Sequence, residues 1–509
     1  MSEFNIVHLF LESAKKFPDK AAIITKDETI SFAGLEKSVQ ETSHYLLSKG
    51  ICKGDRVLLF VPMSTDLYRI VLALFNIGAT AVFLDEWVSR KRLEACCEVA
   101  DCKAFVGIFK ARMLSWFSPG LRKIPIRLGT SYRKTAPQQI APTSDSDTAL
   151  ITFTTGSTGT PKAAKRTHGF LRKQFGALIT IIDPQPGDVD MPVLPVVLLI
   201  NLGAGCTSVI TPWKASKPEQ LDVEQVFSQI NEHQVTRMVS SPFFVRQLAN
   251  YAARRPVSVP SLKKIFTGGA PVFPSEAELF VKAFPEARTE IVYGSTEAEP
   301  ISSINATELT KEKNSLQKGL KAGFPDKSAT VKIIGIQTGI VSPESAEDFR
   351  KLWLNPGEIG EIIVSGEHVL QEYFNNEAAL KLNKIWVDGT CWHRTGDSGY
   401  LDGNGMIYLT GRAASLIFLN GETISPFLYE SKLQAIEGVE LGTVLLVDGK
   451  LTVIIEVRPG TNKESVSQAV HGSELKAGEI RFIAKMPTDP RHNSKIDYGK
   501  LITGNQGNQ

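Results

Sequence analysis

Short runs of consecutive apolar residues alternate along the chain with stretches in which apolar side chains recur every three or four positions. Val57-Leu58-Leu59-Phe60-Val61 precedes a helical pattern over 66–76, Ala81-Val82-Phe83-Leu84 follows it, and Ala104-Phe105-Val106 comes after another helix-like stretch. Strands that feed helices and return as strands are βαβ units, so the first 300 or so residues predict an α/β architecture with largely parallel sheet. Between about 325 and 410 the text becomes strand-rich and glycine-punctuated, as in Gly360-Glu361-Ile362-Ile363-Val364-Ser365-Gly366 and Asp402-Gly403-Asn404-Gly405, which predicts a smaller β subdomain. After Arg412 the α/β pattern resumes, with a helix over 426–436, strands around 442–447 and 451–457, and a polar tail over 504–509. A boundary near 411–414 divides the chain into a large domain, 1–411, and a small one, 412–509.

Composition narrows the function classes. The chain has 509 residues, of which 42% are hydrophobic and 22% charged, which excludes a disordered chain and a small disulfide scaffold. Its 57 basic and 54 acidic residues leave a net charge of +3 and interleave along most of the sequence, so no nucleic-acid partner is expected. Cys52, Cys96, Cys97, Cys102, Cys206 and Cys391 form no CxxC pair and are read as reduced core thiols of a cytoplasmic protein. Glu3 stands where a secretory signal wants positive charge, so no signal peptide is expected. The apolar stretches 70–84 and 191–205 are interrupted and too short to span a bilayer, while peripheral contact with lipids stays open.

The segment Thr154-Thr155-Gly156-Ser157-Thr158-Gly159-Thr160-Pro161-Lys162 follows the apolar run 149–153 and carries the most specific chemistry. Its glycines let the backbone turn and expose N–H groups, its hydroxyls add donors and its lysine adds charge, the parts of a polyphosphate cradle. It is not a Walker A loop, which has four residues between its glycines and a Gly-Lys-Ser/Thr ending. A Ser/Thr/Gly-rich surface loop is the plainer reading of the same residues.

With this loop the sequence resembles the adenylate-forming superfamily of acyl-CoA synthetases, acyl-AMP ligases and luciferases. Further motifs of that superfamily recur in order over roughly 10–500: Gly268-Gly269-Ala270-Pro271, Tyr293-Gly294-Ser295-Thr296-Glu297, the 360–366 strand, Arg394-Thr395-Gly396-Asp397-Ser398-Gly399-Tyr400, Tyr408-Leu409-Thr410-Gly411-Arg412 and Arg491-His492-Asn493-Ser494-Lys495-Ile496. The resemblance implies ATP and Mg²⁺ as cofactors, a carboxylic acid as substrate and a small mobile C-terminal domain. It also implies that Tyr293 stacks on adenine against the 268–270 backbone, that Thr296 meets the α-phosphate, and that Glu297 ligates Mg²⁺. Asp397 would hold the ribose hydroxyls and Arg412 the ribose or phosphate. A core aromatic and a turn residue are the structural alternatives for Tyr293 and Asp397. Lys495 is the expected catalytic lysine of adenylation, where it would offset the repulsion between carboxylate and α-phosphate. The closing motif lacks the usual glycine, which leaves Lys500 as its rival.

Some residues depart from the acyl-CoA ligase pattern. The hinge position two after Arg412 is Ala414, the following stretch is the apolar Leu416-Ile417-Phe418-Leu419, and Leu194-Pro195 continues as Val196-Val197-Leu198-Leu199. CoA use is therefore doubted. These features are similar to the β-lactone synthetases of bacterial olefin biosynthesis, a resemblance also carried by Asp190-Met191-Pro192-Val193-Leu194-Pro195, Gln371-Glu372-Tyr373-Phe374-Asn375 and Cys391-Trp392-His393-Arg394. It implies a β-hydroxy acid whose own hydroxyl displaces AMP, an intramolecular second step that needs no thiol channel. It also implies an acyl pocket at Val197 and Leu198, for which a strand core is the alternative, and assembly with olefin-pathway thiolase or dehydrogenase enzymes. His168, His393 and His492 are the histidines nearest the motifs that a base for the hydroxyl would draw on. Acyl-CoA or acyl-carrier-protein ligation, and a silent nucleotide-binding homologue, are the competing readings.

Overall fold

Fully buried hydrophobic runs mark the centres of two sheets. The computed structural model describes residues 3–84, 90–132, 140–154, 161–213, 217–311, 319–488 and 496–501. The first sheet runs in the order Ile126–Leu128, Ala104–Gly107, Arg56–Phe60, Thr80–Phe83, Thr148–Thr154, Lys162–Thr167. Every neighbour pair in it is parallel except the final hairpin. Val57, Leu58 and Ala81 are 0% exposed because helices cover both faces, which is why these strands read as unbroken apolar runs and not as alternating ones. The helix Thr65–Asn76 is buried at every position but Asp66, and its start is set by Ser64, whose hydroxyl accepts the Leu67 N–H.

The second sheet is parallel through Ala21–Ile24, Thr207–Val209, Val189–Pro192, Arg237–Ser240, Lys264–Gly268 and Arg288–Ser295. It then turns antiparallel through Ala298–Asn305, Leu320–Pro325, Ile407–Arg412, Thr390–Leu401, Gly360–Ser365 and Thr330–Ile334. The expected β subdomain is thus a continuation of the parallel sheet, joined through Leu320–Pro325. That strand passes so close to its neighbour that a Cβ on Gly323, whose φ is +97°, would lie 1.9 Å from the Ser303 carbonyl oxygen.

From Ile417 onward the strands pair, among the described residues, only with one another. A hairpin, Ile417–Leu419 with Glu422–Ile424, turns through Asn420-Gly421, both at positive φ. Val439–Val447 pairs antiparallel with Lys450–Val457 through a similar Asp448-Gly449 turn, and Glu479–Ile483 adds in parallel after the helix Lys463–His471. Leu433, Val444, Val453, Ile455, Val466 and Val470 form a separate core there. Phe427 packs on Phe273 with ring centroids 5.3 Å apart, and Ser425 donates to the Thr410 carbonyl, so the two parts touch at the joint after Arg412.

Two expectations change. Val197–Ile200 lies in the helix Pro195–Ala204, not a strand: Pro195 suits the first turn, and Gly205 at φ +72° ends it. All six cysteines are free as expected, but Cys52 is exposed and only the other five are buried. Burial pushes the Cys97 and Cys102 thiols up to about 12, so they stay protonated. No helix among the described residues is long and apolar enough to cross a membrane.

Candidate active site

A two-residue hairpin turn presents the first pair of candidate groups. Strands Arg288–Ser295 and Ala298–Asn305 pair Ser295 with Ala298, leaving Thr296 and Glu297 at the tip. Arg166 reaches the turn from the strand Lys162–Thr167 and donates to the Thr296 carbonyl at 3.0 Å. Glu297 is 8% exposed, and its Oε1 accepts the Tyr373 hydroxyl at 3.1 Å. Tyr373 sits there because the segment around it runs beside the same strand: Ala164 bridges Tyr373, and Phe374 N–H donates to the Ala163 carbonyl. Burial, together with the Glu297 carboxylate, raises the Tyr373 pKa and keeps its hydroxyl a donor.

Two lysines flank that phenol. Lys162 Nζ is 5.9 Å from the Tyr373 ring centroid and Lys384 Nζ is 5.7 Å from it. Lys162 donates to Asn383 Oδ1 at 2.9 Å, and burial lowers its pKa while Glu297 opposes the shift. Lys384 is 3% exposed, has no hydrogen-bond partner among the described residues, and is pushed down to about 8 by burial. Ser295 Oγ and Arg166 Nε are likewise buried without partners. Glu297 acts on Lys162, Lys384 and Arg166, the last of which also faces Glu299, and unpaired buried donors of this kind are costly unless an anion satisfies them, which fits a polyphosphate with its cation. For the cation, Glu297 is the carboxylate predicted as ligand, and among the described residues no cluster of three His, Cys, Asp or Glu forms a closed metal cage. One carboxylate plus phosphate and water oxygens is the donor set Mg²⁺ ordinarily takes.

Asp397 organises the second half of the site. It lies within the strand Thr390–Leu401, opposite Arg412, so it is not a turn residue. Its Oδ2 accepts the Tyr293 hydroxyl at 2.8 Å and its Oδ1 accepts Arg412 Nη1 at 2.6 Å. Burial and the adjacent Asp397 carboxylate raise the Tyr293 pKa well above its ordinary value. Gly268 pairs with Val292, the residue before Tyr293, and a Cβ there would lie 2.4 Å from the Val292 carbonyl oxygen. Glycine is required by that close approach. Gly269 is exposed, Ala270 and Pro271 are half-buried, and Gly294 and Ser295 end the Tyr293 strand. Next to Gly268 and Val292 lies an apolar cluster of Leu178, Ile182, Val197, Ile200, Val239 and Phe266. Val197 belongs to it, whereas Leu198 turns to the other side of its helix and packs in the main core at 0% exposure.

Several expected residues fall elsewhere. The backbone of Thr154 pairs with Lys162, while Thr155, Gly156, Ser157, Thr158, Gly159, His492 and Lys495 lie outside the described residues. Lys500 is ion-paired with Asp497 at 3.0 Å. His168 is buried, its Nδ1 accepting the Ile6 N–H at 3.1 Å, and burial lowers it to about 4. His393 is 3% exposed, hydrogen-bonded through Nδ1 to the Asn383 carbonyl oxygen and held well below its ordinary pKa, chiefly by burial. Asp190 and Arg394 are buried partners of Arg237 and Glu361. Sequence reading passed over the roles of Tyr373, Asn383, Lys384 and Arg166 in this site. Tyr373 stands within the 371–375 motif, whereas Arg166, Asn383 and Lys384 stand outside every motif and carry no signal in the sequence.

Comparison with known proteins places this geometry. The AMP-binding enzyme family matches residues 10–374. An olefin β-lactone synthetase of Xanthomonas campestris pv. campestris is 29% identical, over 98% of this chain and 96% of that protein. A 2-succinylbenzoate–CoA ligase of Bacillus subtilis is 28% identical, over 83% of this chain and 81% of its own length. Among solved structures, the O-succinylbenzoate coenzyme A synthetase of Bacillus subtilis in complex with AMP shares the fold with a TM-score of 0.82 at 21% identity, covering 98% of each chain. The match to the family spans well over half of the chain and includes the loop, the 268–271 turn and the Thr296-Glu297 tip, so the chain belongs to the AMP-binding enzyme family and is an AMP-forming carboxylate ligase.

Proposed function

We propose that this enzyme uses ATP and Mg²⁺ to activate a β-hydroxy fatty acid and then closes the acyl-adenylate to a β-lactone. The carrying observation is the apolar cluster around Val197, Val239 and Phe266, which adjoins the Gly268 and Tyr293 strands. It offers an alkyl chain a dry surface beside the residues assigned to the nucleotide. Similarity over nearly the full length to an olefin β-lactone synthetase supports the choice of second step. The exposed Ala414 and apolar Leu416 at the joint support it too, since a thioester route usually places polar residues there.

In this reading Lys162, the Thr- and Gly-rich loop and the Thr296 hydroxyl bind the phosphates, and Glu297 holds Mg²⁺, which would neutralise phosphate charge. Asp397 keeps free lone pairs for the ribose hydroxyls beside its bonds to Tyr293 and Arg412. The carboxylate oxygen attacks the α-phosphorus and pyrophosphate leaves, with Lys495 bonding both anions as they approach. The substrate's hydroxyl oxygen then attacks the acyl carbon, the carbon–oxygen bond to AMP breaks, and the hydroxyl proton passes to solvent. Neither His168 nor His393 serves as its base, because both are buried and hydrogen-bonded to backbone. The protein, ATP, Mg²⁺ and a racemic 2-alkyl-3-hydroxy fatty acid are incubated with and without CoA, and the products weighed by mass spectrometry. A CoA-independent product lighter than the acid by one water, with AMP formed, is expected. Acyl-CoA formed only when thiol is present would overturn lactone closure in favour of ligation to CoA.

A further inference from the structure

Nothing in the active site involves the short helix Phe109–Leu114 or the turn after it. Yet five of the eleven large hydrophobic side chains exposed among the described residues fall within nine positions there. Phe109 is 68% exposed, Trp116 and Phe117 are each 66%, and Met113 and Leu114 are 42% and 39%. The fold holds them outward. Ala111 and Leu121 are buried beneath them, Ser118 Oγ donates to Glu94 at 2.7 Å, and Arg90 donates to the Phe117 carbonyl at 2.8 Å. A contiguous apolar surface pinned into water marks an interaction site.

Charge says what it meets. Over the 43 residues 102–144 there is no Asp or Glu, while eight Lys or Arg occur, so the interleaving of charges seen elsewhere stops at this segment. Lys110, Arg112, Arg122, Lys123 and Arg127 are exposed in the same segment, Arg112 lying over the Phe109 ring, and Glu94, the acid underneath, is occupied by the Ser118 hydroxyl and the Gly120 N–H. Exposed aromatic and aliphatic side chains in a segment that carries cations and no acids of its own suit the boundary between anionic headgroups and acyl chains. We propose that this face docks the enzyme on an anionic phospholipid bilayer.

Its place in the fold gives docking a use. The segment leaves the C-terminal end of Ala104–Gly107, the same edge of the parallel sheet from which Thr148–Thr154 runs into the phosphate loop, three strand positions away. On the fatty-acid reading above, that edge would face the surface into which the substrate partitions.

The test is co-sedimentation of the full chain, without substrate, with vesicles of phosphatidylcholine alone or mixed with phosphatidylglycerol. Binding to the mixed vesicles is expected, weakened by salt, and lowered by at least about ten-fold in the triple variant Phe109→Ser, Trp116→Ser, Phe117→Ser. Pyrophosphate exchange with a short water-soluble acid should be unchanged in that variant, which shows that it folds. A second variant, Lys110→Glu with Lys123→Glu, should erase the preference for mixed over neutral vesicles. Absence of binding to mixed vesicles, or equal binding by the triple variant, would overturn the proposal. So would a dimer in solution that the triple variant converts to monomer while neither protein binds vesicles. Because no acid or ATP enters the vesicle experiment, failure of lactone formation would leave its outcome untouched.

Discussion

Tyr373 joins a candidate metal ligand to two cations, and substitutions around it separate binding from folding. Tyr373→Phe removes the donor to Glu297 while keeping the ring between Lys162 and Lys384. Loss of one hydrogen bond to a charged group costs about 1.5–3 kcal/mol, so KM for Mg-ATP should rise about ten-fold or more in a pyrophosphate-exchange assay. Lys384→Met removes a buried ammonium that has no hydrogen-bond partner among the described residues. Its melting temperature should hold or rise while KM for ATP rises, a split that a purely structural lysine would not produce. His168 makes the fold acid-sensitive. Its folded pKa is lowered to about 4 by burial, against 6.5 in the unfolded chain, so as pH falls from about 6.5 to about 4 the unfolded chain takes the proton first. Stability is lost across that window by up to ~1.4 kcal/mol per pH unit. His168→Gln should flatten that part of a stability-against-pH curve measured by urea unfolding.

Elements set the tolerances within which these residues meet. The strand Lys264–Gly268 approaches Arg288–Ser295 so closely at Gly268 that Gly268→Ala must push the Val292 carbonyl away. Overpacking of this kind costs about 1–3 kcal/mol, and because Tyr293 is the next residue along, nucleotide affinity should fall with stability. Equal ATP affinity in the variant would show the slot to be elsewhere. In the same sheet Arg237 is 0% exposed and links Asp190, Asp188 and Asn201. Arg237→Met would leave buried carboxylates unpaired, so a loss of about 3–5 kcal/mol is expected in denaturant unfolding. Element order was legible in the sequence because parallel strands buried on both faces read as apolar runs, and helices as a 3.6-residue period. The helix Pro195–Ala204 escaped that reading, since a run buried on all sides has no period to distinguish helix from strand.

For the whole molecule, the proposed reaction requires the C-terminal residues to reach the site. Lys495→Ala should lower pyrophosphate exchange by orders of magnitude with ATP binding largely intact, because its charge is needed chiefly in the transition state. Equal losses in rate and affinity would contradict that role. Sequence alone determined the family and the order of the elements, and it named the candidate residues of the nucleotide site, because those are written in contiguous motifs whose spacing is local. Only the tertiary structure decided that Tyr373 meets Glu297 across 76 positions, that Asn383 receives Lys162 across 221, and that Leu198 faces away from the cluster its neighbour Val197 joins. It also decided that the rings of Phe109, Trp116 and Phe117 point into water. Contacts between distant positions, and the burial of one helix face over another, arise from how sheets and helices stack, and no local pattern of residues encodes them.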